Sequence, residues 1–340
     1  MKVLIIGGTG LISTAITREL LERGEDVTLY NRGQRELWIA GNPHRIIGDR
    51  NDFPTFERQM AGAGAFDCVI DMVCFAPEQA ESAIRAFKGR VGQFIFCSTV
   101  DVYSKPPSGF PIREDEPRRS ISDYGRMKVR CEDLLMEAHA RADFPVTIIR
   151  PSHTYGEGGS IVHTFGWSTT YIDRIRKGKP IVVHGDGRSL WVSCHIDDVG
   201  HAFVMAIGNP KALGRAYNAA GDDARDWNQY HQGVAEALGA PPPQLVHIPT
   251  DLLARFAARR ADITIANFQY SNLFDNSAAR EDLDFHPKVG WIDGVRRTVA
   301  WLDERGMVKN SDDDPFDDRV IAAWERLSAA MVEELRGVDD

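Results

Sequence analysis

The opening stretch, MKVLIIGGTGLIS, constrains the fold of this chain more than any other segment. The apolar run KVLII leads directly into Gly7, Gly8 and Gly10, and ISTAITRELLERG then places apolar side chains at helical spacing. Glycine allows a positive φ and a close approach to the backbone, and the start of a helix offers free N–H groups and a positive dipole to a pyrophosphate. A strand, a glycine turn and a helix in this order predict the first unit of a dinucleotide-binding fold.

The glycine spacing is G-x-x-G-x-x-S, and Ser13 occupies the position where a third glycine is usual. A serine there should still permit close packing of the helix on the strand. The alternative is a tight turn that holds no ligand, but the flanking elements match the dinucleotide fingerprint. We predict that the turn contacts the cofactor through Gly7, Thr9, Gly10, Leu11 and Ile12.

Strand-like and helix-like segments alternate through the first half of the chain, and the apolar runs VTLY, FDCVIDMV, QFIFCST and VTIIRP indicate further strands. This alternation predicts an α/β fold, a Rossmann-type doubly wound parallel sheet with helices on both faces. After Pro151 the pattern loosens, which predicts a smaller, mixed C-terminal substrate lobe. The predicted dinucleotide-binding domain is 1–150, completed by about 188–220; the substrate lobe is 151–187 and 221–306; and 307–340 is a helical tail. The tail carries an apolar stripe that we expect to be packed: Val320, Trp324, Leu327 and Met331.

Composition argues against several classes of protein. With 43% apolar and 26% charged residues and no run of membrane-span length, the 340 residues are typical of a soluble protein; with no leader pattern, we expect a cytoplasmic location. The net charge of −9 argues against general nucleic-acid affinity, and only RRSISDYGRMKVR and RFAARR form short basic groups. The five cysteines lack metal or disulfide spacing, so we expect buried thiols and assign no metal site.

The end of the second predicted strand bears on the choice of cofactor. Asn31 and Arg32 lie about 20 residues beyond the glycines, where an acidic residue would bind the ribose hydroxyls of NAD. Because Asn31 is neutral and Arg32 can offer a charged fork to a phosphate, these residues favour NADP over NAD. Alternatively, Arg32 is a solvated surface residue. Asp49, after the third strand, is placed either to approach the adenine amino group or simply to form a turn.

A second pattern, Y-x-x-x-K, places Tyr124 and Lys128 at the start of a predicted helix. A spacing of four residues puts both side chains on one face. An ammonium beside a phenol favours the phenolate, so Lys128 should lower the pKa of Tyr124 and make it a usable acid and base for a hydroxyl proton. Lys128 could also hold the nicotinamide ribose. The pattern is frequent by chance, but here it follows a glycine fingerprint and the segment FIFCSTVDVY.

The motifs GGTGLIS, CSTVDVY, YGRMK and IIRPSHTYG occur in the order and spacing of the extended short-chain dehydrogenase/reductase superfamily. The chain resembles the NAD-dependent epimerase/dehydratase family within it. The segments VTLYNRG, FDCVIDMVCFAPE and GRVGQFIFCSTVDVY resemble the branch that includes the chloroplast stem-loop-binding proteins. The likeness covers about residues 1–305 and implies an NAD(P)-dependent enzyme that forms a homodimer through the helix of Tyr124.

The resemblance also implies roles for individual residues. Thr99, four residues before Tyr103, matches the family's hydroxyl donor, which would orient the substrate oxygen toward Tyr124. An alternative role for Thr99 is to cap the end of a strand. The acid pair that the family's dehydratases carry after this threonine is here Val100 and Asp101, which weakens a dehydratase interpretation and leaves Asp101 as a candidate substrate contact.

Other positions match the family's nicotinamide-binding segments. Met72 and Val73 should line the nicotinamide side, as the end of the family's fourth strand does. Pro151 and His153 match the segment that flanks the nicotinamide. His153 is in addition a candidate substrate contact, or else a histidine hydrogen-bonded within a loop.

One departure from the family's pattern concerns the substrate. Members that bind nucleotide sugars usually carry an arginine four residues before the histidine of an H-V-x-D stretch, but here Trp191 precedes His195 by four and Arg188 lies three residues earlier. Either Arg188 compensates as a substrate contact, or the substrate is not a nucleotide sugar and Trp191 stacks on a sugar ring or another apolar face.

Three functions follow from these observations. The first is an epimerase that oxidises and re-reduces a secondary hydroxyl of a sugar or sugar-derived substrate, with Tyr124 moving the proton and Thr99 polarising the oxygen. The second is an NADPH-dependent reductase or dehydrogenase of a non-nucleotide carbonyl substrate. The third, of another class, is an RNA-binding protein on the same fold, against which the acidic balance of the chain speaks.

Overall fold

The computed structural model describes residues 1–35, 38–142 and 144–338. The described strands are β1 Lys2–Ile6, β2 Asp26–Asn31, β3 His44–Ile47, β4 Phe66–Asp71, β5 Val91–Cys97, β6 Val146–Pro151, β7 His153–Tyr155, β8 Ile181–His184, β9 Leu190–His195, β10 Arg215–Ala219, β11 Ala224–Asp226 and β12 Leu245–Ile248. The described α-helices are α1 Leu11–Glu22, α2 Phe53–Gly62, α3 Pro77–Phe87, α4 Asp123–Ala140, α5 Thr170–Arg176, α6 Ile196–Ala206, α7 Trp227–Ala237, α8 Thr250–Phe256, α9 Ser277–Leu283, α10 Trp291–Glu304 and α11 Phe316–Glu334.

The main sheet has seven strands, in the order β10-β6-β5-β4-β1-β2-β3, and its neighbouring strands pair in parallel. The chain runs outward from β1 to β3, returns across the sheet, and continues outward from β4 on the other side of β1. The strand order therefore reverses between β1 and β4, and doubly wound sheets bind ligands at the carboxyl ends of the strands at such a point. The predicted doubly wound parallel sheet is confirmed.

Alternation along the strands builds a hydrophobic core on each face of this sheet. In β1, Val3 and Ile5 pack with α1 and α6, whereas Leu4 and Ile6 pack with α2, α3 and α4. This division follows because successive side chains of a strand point to opposite faces. All four side chains are fully buried, as in parallel sheets whose two faces are both covered by helices. The two helical layers fix the carboxyl edge of the sheet, where the candidate site lies.

The chain divides into two compact units. The first contains the main sheet and comprises Met1–Gly158, Val192–Ala224 and Leu273–Gly290. The second comprises Gly159–Trp191, Arg225–Asn272 and Trp291–Asp340, and its strands β8 and β12 pair in parallel. The segment Leu273–Gly290, which the sequence pattern placed in the substrate lobe, lies in the first unit because α9 packs on α6 and β10.

The last helix, α11, packs along only part of its length. Val320 and Trp324 contact the hydrophobic core of the second unit. Leu327 and Met331 belong to the same predicted stripe but are 60% and 63% exposed, so the expectation of a fully packed stripe is wrong. No described helix is both long enough and apolar enough to cross a membrane. All five cysteines lie among the described residues, and they are buried and not joined by disulfides.

Candidate active site

A cleft of about 580 Å³ follows the carboxyl edge of the main sheet within the first unit. Most residues predicted to bind the cofactor line it, namely Gly7, Thr9, Gly10, Leu11, Ile12, Asn31, Arg32, Asp49, Met72, Val73, Tyr124 and Lys128. Thr99, Asp101, Pro151 and His153 are not part of its lining, and Arg188 and Trp191 belong to the second unit.

The glycine turn shapes the part of the cleft next to the reversal of strand order. Gly7 has a φ of +87°, and a Cβ placed on it would lie 2.5 Å from Val73 Cγ1, so this position needs glycine on both counts. The Ser13 hydroxyl donates to the Gly7 carbonyl at 2.8 Å and accepts from the Gly10 N–H at 2.7 Å. Ser13 therefore stabilises the turn ahead of α1, a role that the spacing alone did not indicate.

The residues after β2 and β3 line the end of the cleft where the adenosine half of a dinucleotide was predicted to bind. The Oδ1 atoms of Asn31 and Asp49 each accept a hydrogen bond at 2.9 Å from the N–H two residues later, so both residues close turns. Arg32 is exposed at this end, and Arg35, which belongs to no recognised motif, also lines the cleft. The two guanidinium groups supply positive charge suited to a phosphate.

A buried ion pair adjoins the cleft and was missed at the level of sequence. Arg50 follows Asp49 but turns inward, and its Nη2 lies 3.2 Å from Oδ2 of Asp71, the last residue of β4. Its guanidinium lies 4.4 Å from the centroid of the Phe56 ring. Asp71 Oδ1 accepts from the Val73 N–H at 3.1 Å, so the pair helps to fix the residue that packs on Gly7. The sequence did contain a signal for this pair, because an acidic residue, Asp71, ends the mostly apolar strand FDCVID.

Helix α4 brings the two predicted catalytic side chains to the cleft. The helix begins at Asp123 because the Ser122 hydroxyl caps it, accepting from the Gly125 N–H at 2.9 Å. Tyr124 then lies in the first turn and Lys128 in the next, and both line the cleft. The Lys128 Nζ donates to the carbonyl of Cys97 at 2.6 Å and lies 5.8 Å from the centroid of the Tyr124 ring.

The ionisation of Tyr124 differs from the prediction. Although the residue is 46% exposed, burial around the hydroxyl raises the pKa of Tyr124 above its ordinary value, and the nearby Cys97 and Asp101 raise it further. A hydrogen bond with Thr99 acts in the opposite direction. The predicted net lowering of this pKa is wrong, because the cost of desolvating a phenolate dominates and the Lys128 ammonium is engaged with the Cys97 carbonyl. Tyr124 is therefore a neutral phenol at neutral pH.

Thr99 stands beside this phenol, two residues after the end of β5. Its Oγ1 accepts from the Asp101 N–H at 3.1 Å, which caps the short helical turn Val100–Val102. The same side chain lies near the Tyr124 hydroxyl and lowers its pKa, so Thr99 serves the backbone and faces the phenol at once. Burial raises the pKa of Asp101, and a hydrogen bond donated by the Ser122 hydroxyl opposes that shift.

Pro151 and His153 lie apart from the cleft lining. Pro151 ends β6, where it is buried and in register with Ala219 of β10. His153 Nδ1 shares a hydrogen bond of 2.9 Å with the Ser193 hydroxyl. Burial lowers the pKa of His153 to about 3, so its ring is neutral.

The two candidate substrate contacts of the second unit, Trp191 and Arg188, both interact with neighbouring side chains. Trp191 is buried, with its ring centroid 5.3 Å from that of Trp227 and 4.7 Å from that of Phe268. Arg188 is exposed, and its Nη1 donates to the Asp226 carboxylate at 2.8 Å. Trp191 thus belongs to an aromatic core, and the guanidinium of Arg188 already has an acidic partner.

Taken together, the doubly wound sheet, the glycine turn at its reversal point and the paired tyrosine and lysine define a dinucleotide-dependent α/β enzyme. The chain belongs to the NAD-dependent epimerase/dehydratase family, whose family model, described as "NAD dependent epimerase/dehydratase family", matches residues 3–220. The predicted family resemblance is confirmed, and the protein is an NAD(P)-dependent enzyme.

Individual relatives and a solved structure are similar to this chain over most of its length. The chain is 26% identical over 336 residues to the chloroplast stem-loop binding protein of 41 kDa b of Arabidopsis thaliana, covering 94% of this chain and 84% of that protein. It is 23% identical over 315 residues to 2'-dehydrokanamycin reductase of Streptomyces kanamyceticus, covering 92% and 87%. The crystal structure of UDP-glucose 4-epimerase with UDP-glucose from Thermotoga maritima superimposes with a TM-score of 0.71 at 21% identity, covering 90% of this chain and 99% of that chain.

Proposed function

We propose that this protein transfers hydride between NAD(P) and a secondary hydroxyl of a sugar or sugar-derived substrate, and acts as an epimerase. The observation that carries the proposal is that Tyr124 and Lys128 share one cleft with the glycine turn, with Thr99 beside the phenol. The UDP-glucose 4-epimerase with the same fold supports a sugar nucleotide as substrate.

The cleft residues fit a bound dinucleotide. The bare backbone at Gly7, where a Cβ would collide with Val73, and the N-terminus of α1 suit a pyrophosphate. Asp49 would accept from the adenine amino group, and Met72 and Val73 would line the nicotinamide side. Arg32 is positively charged, and position 31 carries a neutral asparagine instead of an acidic residue. Both features favour NADP over NAD.

The side chains at the other end of the cleft would move the proton. When bound, the dinucleotide supplies a hydride donor or acceptor. In the reducing direction, Tyr124 is already protonated, and its hydroxyl donates to the substrate oxygen as that oxygen becomes an alcohol. Thr99 donates a hydrogen bond to the same oxygen and orients it. In the oxidising direction Tyr124 must accept the proton, and Lys128 stabilises the phenolate of either half-reaction electrostatically.

A specific observation also favours a second candidate, an NADPH-dependent reductase of a non-nucleotide carbonyl substrate. Trp191 stands where nucleotide-sugar-binding members carry an arginine, and it packs against Trp227 and Phe268 rather than offering a charge. The 2'-dehydrokanamycin reductase among the relatives supports this alternative. For either activity we propose a homodimer assembled through α4, on which Met127 is exposed.

The substitution Tyr124→Phe tests the catalytic assignment. Purified protein is incubated with UDP-glucose and NAD⁺ or NADP⁺, and products are followed by nuclear magnetic resonance. Loss of a positioned acid and base should reduce turnover by about 10²- to 10⁴-fold. Calorimetry should show unchanged dinucleotide binding, and Tyr270→Phe in the second unit is the matched control. Full turnover by Tyr124→Phe would contradict the assignment.

Native mass spectrometry of the purified protein separates the two candidates. An epimerase retains its dinucleotide through turnover, so a bound cofactor and isomerisation of UDP-glucose support the first candidate. A reductase exchanges its cofactor, so NADPH consumption with a ketone substrate and no retained dinucleotide supports the second. The same spectra report whether the chain assembles as a dimer.

A further inference from the structure

The surroundings of Lys128 are unusual for a charged group. The side chain is 1% exposed, and within the described residues no carboxylate pairs with its ammonium. Instead, Nζ lies 4.7 Å from the centroid of the Phe75 ring and 4.8 Å from that of Phe96. A buried cation needs compensation, and a ring face supplies it through its quadrupole when water is excluded. Together with one carbonyl, these two rings hold the ammonium in place.

Of the two rings, Phe96 is a buried part of β5, whereas Phe75 lies in the loop after β4. Phe75 lines the cleft and is 47% exposed, a large apolar surface left beside the site. Its ring centroid lies 6.4 Å from that of Tyr124. One side chain therefore contacts the ammonium and adjoins the phenol of the proposed pair.

The position of Phe75 is fixed by the side chain of Gln79, in the first turn of α3. Gln79 Oε1 accepts from the Phe75 N–H at 2.6 Å and from the Ala76 N–H at 3.0 Å, while its Nε2 donates to Asn51 at 2.7 Å. The backbone carbonyl of Gln79 accepts from Arg50. The loop that carries Phe75 is thus tied by hydrogen bonds to the turn after β3.

We propose that Phe75 is a positioning residue for Lys128 and Tyr124, and that Gln79 holds Phe75 in the conformation that serves this role. Phe75 covers the ammonium of Lys128, shields it from water and directs it toward the carbonyl of Cys97 and the ring of Tyr124. This inference rests on the proposed function, because it assigns no other role to Lys128 than the one given above.

Competitive trace labelling of the lysines with acetic anhydride tests the proposal without a substrate. The reagent must reach the amine to react, so labelling of Lys128 reports how well its ammonium is covered. Phe75→Leu keeps the apolar volume but removes the ring face, and labelling of Lys128, read by peptide mass spectrometry, should rise by about 3- to 30-fold. Phe75→Tyr retains a ring and should label like the wild type.

Lys2 provides an internal control in every sample, because it makes the same type of contact, 4.8 Å from the centroid of the Phe66 ring, away from the substitution. An increase at Lys128 with no change at Lys2 excludes general unfolding. Gln79→Leu leaves the two loop N–H groups without their acceptor and should also raise labelling of Lys128. Wild-type labelling of Lys128 in Phe75→Leu overturns the proposal, and wild-type labelling in Gln79→Leu overturns the part assigned to Gln79.

A kinetic measurement connects this contact to catalysis. With UDP-glucose as the probe, Phe75→Leu should lower kcat more than it changes KM and should displace the pH profile of kcat, whereas Phe75→Tyr should do neither. An effect on KM alone, with an unchanged pH profile, would show that Phe75 only contributes to binding the substrate. That result would overturn the proposal. The two hypotheses fail separately: an active Tyr124→Phe enzyme contradicts the proposed function, whereas the labelling of Lys128 does not depend on turnover.

Discussion

The substitution Arg50→Met tests how much the buried ion pair between Arg50 and Asp71, beside the cleft, stabilises the fold. It removes the guanidinium that lies 3.2 Å from the Asp71 carboxylate and leaves that carboxylate without its charged partner, although Asp71 retains the Val73 N–H. Methionine keeps much of the packing of the arginine stem on the Phe56 ring. The change therefore removes the guanidinium, with its ion pair and its hydrogen bond to the Gln79 carbonyl, at little loss of volume.

The expected magnitude follows from the burial of both partners. Arg50 and Asp71 are 6% and 0% exposed, and removing one partner of a buried pair costs about 3–5 kcal/mol. Asp71→Asn leaves Arg50 as the unpaired charge and should also be destabilising. The double variant Arg50→Met with Asp71→Asn buries no net charge, so it should lose at least ~2 kcal/mol less than the sum of the single variants.

Urea unfolding of the four proteins, followed by circular dichroism, measures this coupling from the shift in midpoint at a constant denaturant slope. Arg85→Met is the matched control, because Arg85 of α3 pairs with Glu57 of α2 at the surface. An exposed pair of this kind contributes at most about 1 kcal/mol. Additivity of the Arg50 and Asp71 effects to within ~0.5 kcal/mol would refute the argument that the two charges stabilise each other.

Three further predictions concern the glycine turn, cofactor choice and pH. Gly7→Ala should weaken dinucleotide binding about 10-fold or more by calorimetry, because φ is +87° and the new Cβ meets Val73 at 2.5 Å; Gly24→Ala, at φ +74° with open space around it, should leave binding unchanged. Arg32→Ala should weaken NADP⁺ about 10-fold and leave NAD⁺ nearly unaffected, since a charged hydrogen bond contributes about 1.5–3 kcal/mol; an equal loss for both would contradict the assignment. Burial lowers the pKa of His163 from 6.5 to about 3, so the unfolded chain gains a proton first and stability falls as pH drops below 6.5. Between pH 6.5 and 5 this one group costs about 2 kcal/mol, and His163→Phe should remove that part of the acid sensitivity in urea titrations.

Local pattern was enough to predict the fold of the first unit. Apolar runs of strand length alternating with helical periodicity leave a parallel sheet as the arrangement that buries both faces, and the observed order of strands agrees. The glycine turn could also be predicted from the sequence, because only a residue without a side chain can lie against Val73 at position 7. The segment Leu273–Gly290 was not, because its place in the first unit depends on the packing of α9 on α6 and β10, which no periodicity encodes.

In the candidate site too, the sequence predicted the positions of residues but not their ionisation. The spacing of Tyr124 and Lys128 placed both on one helix face, and both line the cleft. The spacing could not give the ionisation of Tyr124, because that depends on desolvation by residues from other strands and loops and on where the Lys128 ammonium finds its acceptor.

The amino-acid sequence by itself determined the order of strands and helices, the glycine turn and the tyrosine–lysine pair, because each depends on residues that are close along the chain. Only the tertiary structure decided which charges are buried together and which aromatic ring covers the lysine. Arg50 and Asp71, or Phe75 and Lys128, are separated by tens of residues, and their interaction energies arise from exclusion of water, which exists only once the chain has folded.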